Sequence, residues 1–244
     1  MVMQEAGAPA GSPQAMQQAP QGPGFVHLRV HSEYSIVDGL VRIDDVVKAA
    51  AKDKQVALAV TDLSNLFGMV KFYKEARGKG IKPIVGVDVW ITNDDNREKP
   101  SRLLLLAKNR MGYLQLCELL SMAWLTNQYK GRAELRIEWL QALATNTYDL
   151  YPGESAANGL IALSGAHFGD VGIAIENGNL ALAERNAQRW AEIFPGHFYI
   201  EIQRGGQANQ EAQVRHAVAL AAKLGLPVVA THPVQFISPE EFIA

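Results

Sequence analysis

His27, Arg29 and His31 fall at every second position of the stretch FVHLRVH. In an extended strand alternate side chains share a face, so this spacing predicts two imidazoles and a guanidinium on one side, with Leu28 and Val30 on the other. Imidazole binds metals or moves protons near neutral pH. Guanidinium has no acceptor and stays protonated, so it pairs with anions and cannot ligate a cation. Further polar residues close the later apolar runs: Asp62, Asp88, Lys108, Ser164, Glu201 and His232. Carboxylates and imidazoles gathered at one mouth suit divalent metals and phosphoester hydrolysis.

These residues need strands to hold them. The strand candidates are FVHLRVH, ALAVTD, KPIVGVDVWIT, RLLLLAK, GLIALSG, FYIEIQ and PVVATH. Between them runs helical periodicity. Ile43, Val46, Val47 and Ala50 lie at i, i+3, i+4, i+7. Val70, Tyr73 and Lys74 mark a second helix closed by Gly78 and Gly80, and Leu114, Cys117, Leu120 and Met122 a third. A short helix is expected near Ile137–Leu143. Leu180–Phe194 stops at Pro195-Gly196, and Gln207–Leu224 ends at Gly225 with Pro227 following. Strand–helix alternation predicts parallel strands joined by right-handed crossovers. Val85, Val87 and Val89 alternate with Gly86, Asp88 and Trp90, and Phe198, Ile200 and Ile202 with Tyr199, Glu201 and Gln203. One apolar and one polar face per strand favours a closed α/β barrel with helices outside and polar groups inside. The expected fold is therefore a distorted seven-stranded (β/α) barrel. Residues 125–158 are expected to form an excursion on its rim.

Composition sets further bounds. The chain has 244 residues, 48% of them hydrophobic, and a net charge of −2. That charge argues against a dominant basic surface for nucleic acid. Cys117 is the only cysteine, which excludes internal disulfides and Cys-rich zinc sites and fits a small core residue in a reducing cytoplasm. No apolar run reaches the ~18 residues of a membrane span. Residues 1–24 are rich in Gly, Ala, Pro and Gln, lack aromatics, and are expected to be a disordered leader rather than a signal peptide. Residues 25–244 are expected to form the barrel domain.

The motifs FVHLRVHSEYSIVDGL, AVTDLSNLFGMVKFY, GIKPIVGVDVWI, LLLLAKNRMGYLQL, LIALSGAHFGDVG and GLPVVAT follow one another in order. Together, over Phe25 to Ile243, they resemble the polymerase and histidinol phosphatase (PHP) domain family, in the form that opens the alpha subunit of bacterial DNA polymerase III. The resemblance implies a distorted barrel of seven strands. In active members it implies a metal cluster held by nine ligands. Carried onto this sequence, the HxH pair falls on Arg29 and His31, and the acidic residue after it on Asp38. The His after T-D becomes Leu63, and the Glu of the third strand becomes Asp88. The His before the Leu-rich strand becomes Arg102, the Cys after S-G becomes Ala166, and the D-x-H of the last motif becomes Pro233 and Gln235. Only His31 and Asp38 are unchanged, with Asp88 a shorter substitute.

The resemblance thus implies a degenerate site without metal or cofactor, in which Arg29 and Arg102 stand beside Asp38, Asp62 or Asp88 where cations would sit. An alternative is a rebuilt one-ion site from His31, Asp38 and Asp88 with His167 and His232. Two functions follow. One is a non-catalytic module of a replicative DNA polymerase whose partners are the remaining polymerase domains and the proofreading exonuclease subunit, with DNA reached only through the full-length polymerase. Trp124, Tyr129 and Trp139 are its docking candidates. The other is an active metal-dependent phosphoesterase or 3′–5′ exonuclease.

Overall fold

The computed structural model describes residues 24–144, 159–206, 209–238 and 240–241. The predicted leader lies almost wholly outside these residues, as do the latter part of the predicted excursion and Ile243.

Strands β1 (Ala57–Val60), β2 (Lys82–Ile91) and β3 (Ser101–Ala107) are joined edge to edge with β6 (Leu160–Leu163), β7 (Phe198–Gln203) and β8 (Val228–Thr231). The segment 27–31 completes the ring without being a regular strand. His27 and Val30 accept from Ala59 and Thr61 on one side, while His31 N–H donates to Val234 O and Val234 N–H to Arg29 O on the other. All seven expected strand positions are therefore present around one distorted barrel, the first as an irregular strip. Two short strands lie outside the ring: β4 (Gln128–Tyr129) and β5 (Arg132–Leu135) form a hairpin that extends the edge of β2 at Trp90 and Ile91.

Uniform parallel pairing does not hold. β3 runs antiparallel to both β2 and β6. The stretch NDDNREKP between β2 and β3 is too short and polar for a crossover helix, so the chain reverses directly. Arg102, at the start of β3, consequently reaches the same rim as the end of β2. Lys108 goes to the opposite end, where its Nζ lies 2.6 Å from His197 Nε2.

The alternation seen in the sequence sorts two layers. Val87, Val89, Leu103, Leu105, Phe198 and Ile200 face outward into the main core. There they meet α3 (Arg110–Thr126), α4 (Ile137–Ala144), α5 (Asp170–Glu176), α6 (Leu180–Ile193) and α7 (Gln210–Leu224). A second outer core joins Val30, Leu58 and Val60 to α1 (Ile43–Lys52) and α2 (Met69–Gly78). Inside the barrel, Leu104, Leu106 and Leu163 form an apolar floor, packed by Leu28, Ile84 and Tyr199. Leu28 was expected on the outer face with Val30. The irregular strip turns it inward instead.

α1 buries the predicted Ile43, Val46, Val47 and Ala50, with Asp44 and Asp45 at the positive end of its dipole. α3 starts at Asn109, whose side chain accepts from Gly112 N–H, and α7 ends at Gly225 with φ +66°. Two helical faces differ from expectation. α2 buries Phe72 and Ala76 and leaves Val70 and Tyr73 exposed. α3 buries Met111, Leu116, Leu119 and Leu120, so that Cys117 is only half-buried and not a core residue. Among the described residues no helix is long and apolar enough to cross a membrane.

Candidate functional site

Above the apolar floor the lumen becomes charged. β2 and β3 pair Gly86 with Leu106, Asp88 with Leu104, and Trp90 with Arg102. This register lifts Asp88 just over the leucine layer and places Arg102 directly across from Trp90, its guanidinium carbon 4.1 Å from the ring centroid. Glu201 enters from β7, Arg29 and His31 from the closing strip, and Asp38 from the turn after it.

Arg29 is the centre of the network. Its Nε and Nη2 each donate to Glu201 at 2.9 Å, a bidentate fork, and its Nη1 donates to Asp88 Oδ2. Arg102 Nη1 donates to the same Asp88 oxygen at 2.7 Å, and its Nη2 stands 3.8 Å from Asp38. His31 bridges the two carboxylates. Its Nδ1 lies 2.9 Å from Asp38 Oδ2, while Nε2 approaches Asp88 Oδ2 to 3.2 Å without hydrogen-bond alignment. Asp38 also accepts from Ser35 Oγ at 2.7 Å and from Gln235 Nε2 at 3.3 Å. Glu201 is completed by Thr231 Oγ1 at 2.5 Å, Gln203 Nε2 at 3.1 Å and Gly165 N–H at 3.1 Å. Gly165 reaches it with φ +78°, and a Cβ there would strike the Arg102 carbonyl at 2.4 Å, so only glycine fits.

Arg29, His31, Asp88 and Glu201 are all buried. Burial alone would neutralise Arg29, His31 and Asp88, but their mutual contacts prevail. Desolvation works to lower the Arg29 pKa, yet Asp88 and Glu201 raise it above its ordinary value. Desolvation likewise opposes charge on His31, yet Asp38 and Asp88 push its pKa up to about 8. Asp88 is held well below the usual carboxylate range because Arg29 and Arg102 overcome the cost of burial. Two arginines and His31 thus face three carboxylates, Asp38, Asp88 and Glu201, across the lumen.

A cavity of about 100 Å³ remains at the mouth, lined by Asp38, Arg102, Phe168, Gln203, Pro233 and Gln235 among others. Other expected positions lie elsewhere. Leu63 bridges the Asp88 backbone and lines a different, apolar groove. Ala166 opens the 3₁₀ turn Ala166–Phe168 that carries Phe168 to the cavity. Asp62 meets no arginine. It accepts from Ser32 N–H at 2.6 Å and Ser32 Oγ at 2.9 Å, and burial raises its pKa. His27 joins Phe25 and His232 rather than the lumen, with ring centroids 6.3 Å apart in the histidine pair. His167 stacks on Phe168 and does not line the cavity. The five-residue rebuilt ion site is therefore not assembled. Among the described residues no group of three or more His, Cys, Asp or Glu is placed to hold a metal.

Sequence reasoning noted Glu201 only as a strand-end polar residue. Its place opposite Arg29, 172 positions away, has no local signal beyond the inward row Tyr199–Glu201–Gln203.

Comparison with known proteins agrees with this architecture. The model of the PHP domain matches residues 27–205. DNA polymerase III subunit alpha of Pseudomonas fluorescens is 47% identical over 220 residues, covering 90% of this chain and 18% of that protein. The subunit of Escherichia coli (strain K12) is 40% identical over 222 residues, 91% of this chain and 18% of that protein. The chain thus spans about 18% of the length of these curated relatives. A crystal structure of a presumed metal-dependent phosphoesterase from Bifidobacterium adolescentis aligns with a TM-score of 0.52 at 14% identity, over 86% of this chain and 87% of that one, and shares the fold. The chain belongs to the PHP domain family.

Proposed function

We propose that this PHP domain is a catalytically silent module of a DNA polymerase III alpha subunit, working in cytoplasmic DNA replication as a structural and docking element. Its partners on this reading are the remaining polymerase domains and the proofreading exonuclease subunit, and it meets DNA only through the full-length polymerase. One observation carries the silent reading: Asp88 Oδ2 already receives both Arg29 and Arg102. A divalent ion there would have to displace two guanidiniums and add charge to a balanced cluster. Protonated His31 has no lone pair to offer, and Glu201 is filled by Arg29, Thr231, Gln203 and Gly165. The donors present do not fit a metal centre.

A second reading, an active metal-dependent phosphoesterase or 3′–5′ exonuclease, draws on two buried atoms without a hydrogen-bond partner, Asp88 Oδ1 and His31 Nε2. Metal analysis of protein purified without chelator, with assays on p-nitrophenyl phosphate and a 3′-mismatched primer in Mn²⁺ or Zn²⁺, separates the two. The silent domain carries no stoichiometric metal and gives no turnover. Metal-dependent turnover abolished by His31→Ala establishes the second reading instead.

A further inference from the structure

An apolar groove of about 640 Å³ lies beside the charged mouth, outside the barrel wall. Its floor is Leu63, Leu66 and Ala133, and one bank is the α3 face bearing Cys117, Trp124 and Leu125. The opposite bank includes Ile36, Val37 and Phe67, which are 83%, 86% and 66% exposed, and Leu125 is 84% exposed. So much contiguous apolar surface at one place marks an interaction site rather than scattered surface residues. Trp124 is not a loose side chain, since its Nε1 donates to Ser64 O at 2.8 Å and fixes the ring as a wall.

The path of the backbone indicates what covers it. After β8 the chain passes Val234 and reaches the turn that carries Ile36 and Val37. Leu40 N–H donates to Gln235 O at 2.9 Å, and Gln235 Nε2 reaches Asp38 within that same turn. Leu40 and Ile237 are themselves exposed apolar residues. Gln235 is thus tied to the turn that forms one bank of the groove, so polypeptide belonging to the domains that follow in a longer chain would meet the groove at raised effective concentration. The alpha-subunit relatives are more than five times as long as the matched region.

We propose that the groove is the seat of an apolar segment from the polypeptide that follows residue 241 in the full-length polymerase chain, docked in cis. This deepens the reading of the domain as part of a polymerase and rests on it. An amphipathic helix presenting large aliphatic side chains matches a trough with an apolar floor and one helical bank.

The test uses the full-length chain with a benzophenone amino acid in place of Leu125 or, separately, Ile36. Both side chains point away from the core, so folding is preserved. Irradiation of dilute protein followed by peptide mapping is expected to give intrachain cross-links to residues beyond 241. Cross-links only to a second copy, only to added exonuclease subunit, only within residues 1–241, or none at all, overturn the proposal. As a second readout, alkylation of Cys117 is expected to be lost in the full-length chain and restored by Leu125→Asp. Cys117 labelling unchanged by that substitution also counts against it. Failure of the silent reading is seen separately, as metal-dependent turnover, and leaves the cross-linking result unaffected.

Discussion

Two buried carboxylates in this molecule, Asp88 and Glu134, are each held by a pair of arginines, and they behave differently. Glu134 lies on the β4–β5 hairpin. Its oxygens accept from Arg97 Nη2 at 3.0 Å, Thr92 Oγ1 at 3.2 Å, and Arg132 Nη2 at 3.2 Å. Both arginines keep more than a quarter of their side-chain surface in solvent, and both lie over the Tyr129 ring. Arg29, by contrast, is fully enclosed with Asp88 and Glu201. The same chemical pair is a surface staple in one place and an interior charge balance in the other. The difference lies in what replaces a lost partner: bulk water at the hairpin, and in the lumen only what the cavity of about 100 Å³ beside Arg29 and Asp88 can admit.

Removing one member from each cluster measures that contrast. Arg29→Ala leaves Asp88 short of a partner and Glu201 without its fork, and should destabilise the chain by about 3–5 kcal/mol in denaturant titration. Arg102→Ala removes one charged hydrogen bond and the stacking on Trp90 but opens a path for water, and should cost about 2 kcal/mol by the same measurement.

The pH dependence sharpens the comparison further. The folded His31 pKa of about 8 exceeds the ordinary imidazole value of 6.5, so its stabilising contribution is complete below the unfolded pKa and is lost as pH rises through the folded one. Stability should fall by on the order of 2 kcal/mol in all as pH rises from well below 6.5 to well above 8, and His31→Gln should flatten that fall. The Asp88 contribution has the opposite sign, being complete above the ordinary carboxylate range and lost only in strong acid. Arg97→Ala, at the hairpin, should cost less than about 1 kcal/mol and lose most of that in high salt. Equal losses for Arg29→Ala and Arg97→Ala would mean that the lumen is as wet as the surface, and the contrast would fail.

Much of this arrangement could be read from residue order. Strand period exposed the inward row Gly86–Asp88–Trp90 and the outward row Val87–Val89, because burial on one face leaves a mark at every second residue. The α1 face was equally legible. The direction of β3 was not, since RLLLLAK is apolar on both faces and carries no sign of which neighbour it pairs with. The β4–β5 hairpin hid in YKGR, where Lys130 and Gly131 both take positive φ, a turn with no Asn-Gly or Asp-Gly signature. The arginine substitutions were visible individually, but their partners were not. Asp62 looked as available as Asp88, and only the fold gives it to Ser32 and leaves Glu201 for Arg29.

The irregular strip 27–31 has a mechanical consequence. It joins the last part of the ring through two backbone hydrogen bonds to Val234, whereas β2 and β3 share a six-residue register. This seam is therefore one of the narrow lines in the wall, like the two-residue β6–β7 register, and Arg29 crosses the lumen from it to grip β2 and β7 together. It works as a rivet: with it in place, the amides of His31 and Val234 should exchange with solvent only on global unfolding, and without it they should open first while the rest of the cylinder stays shut.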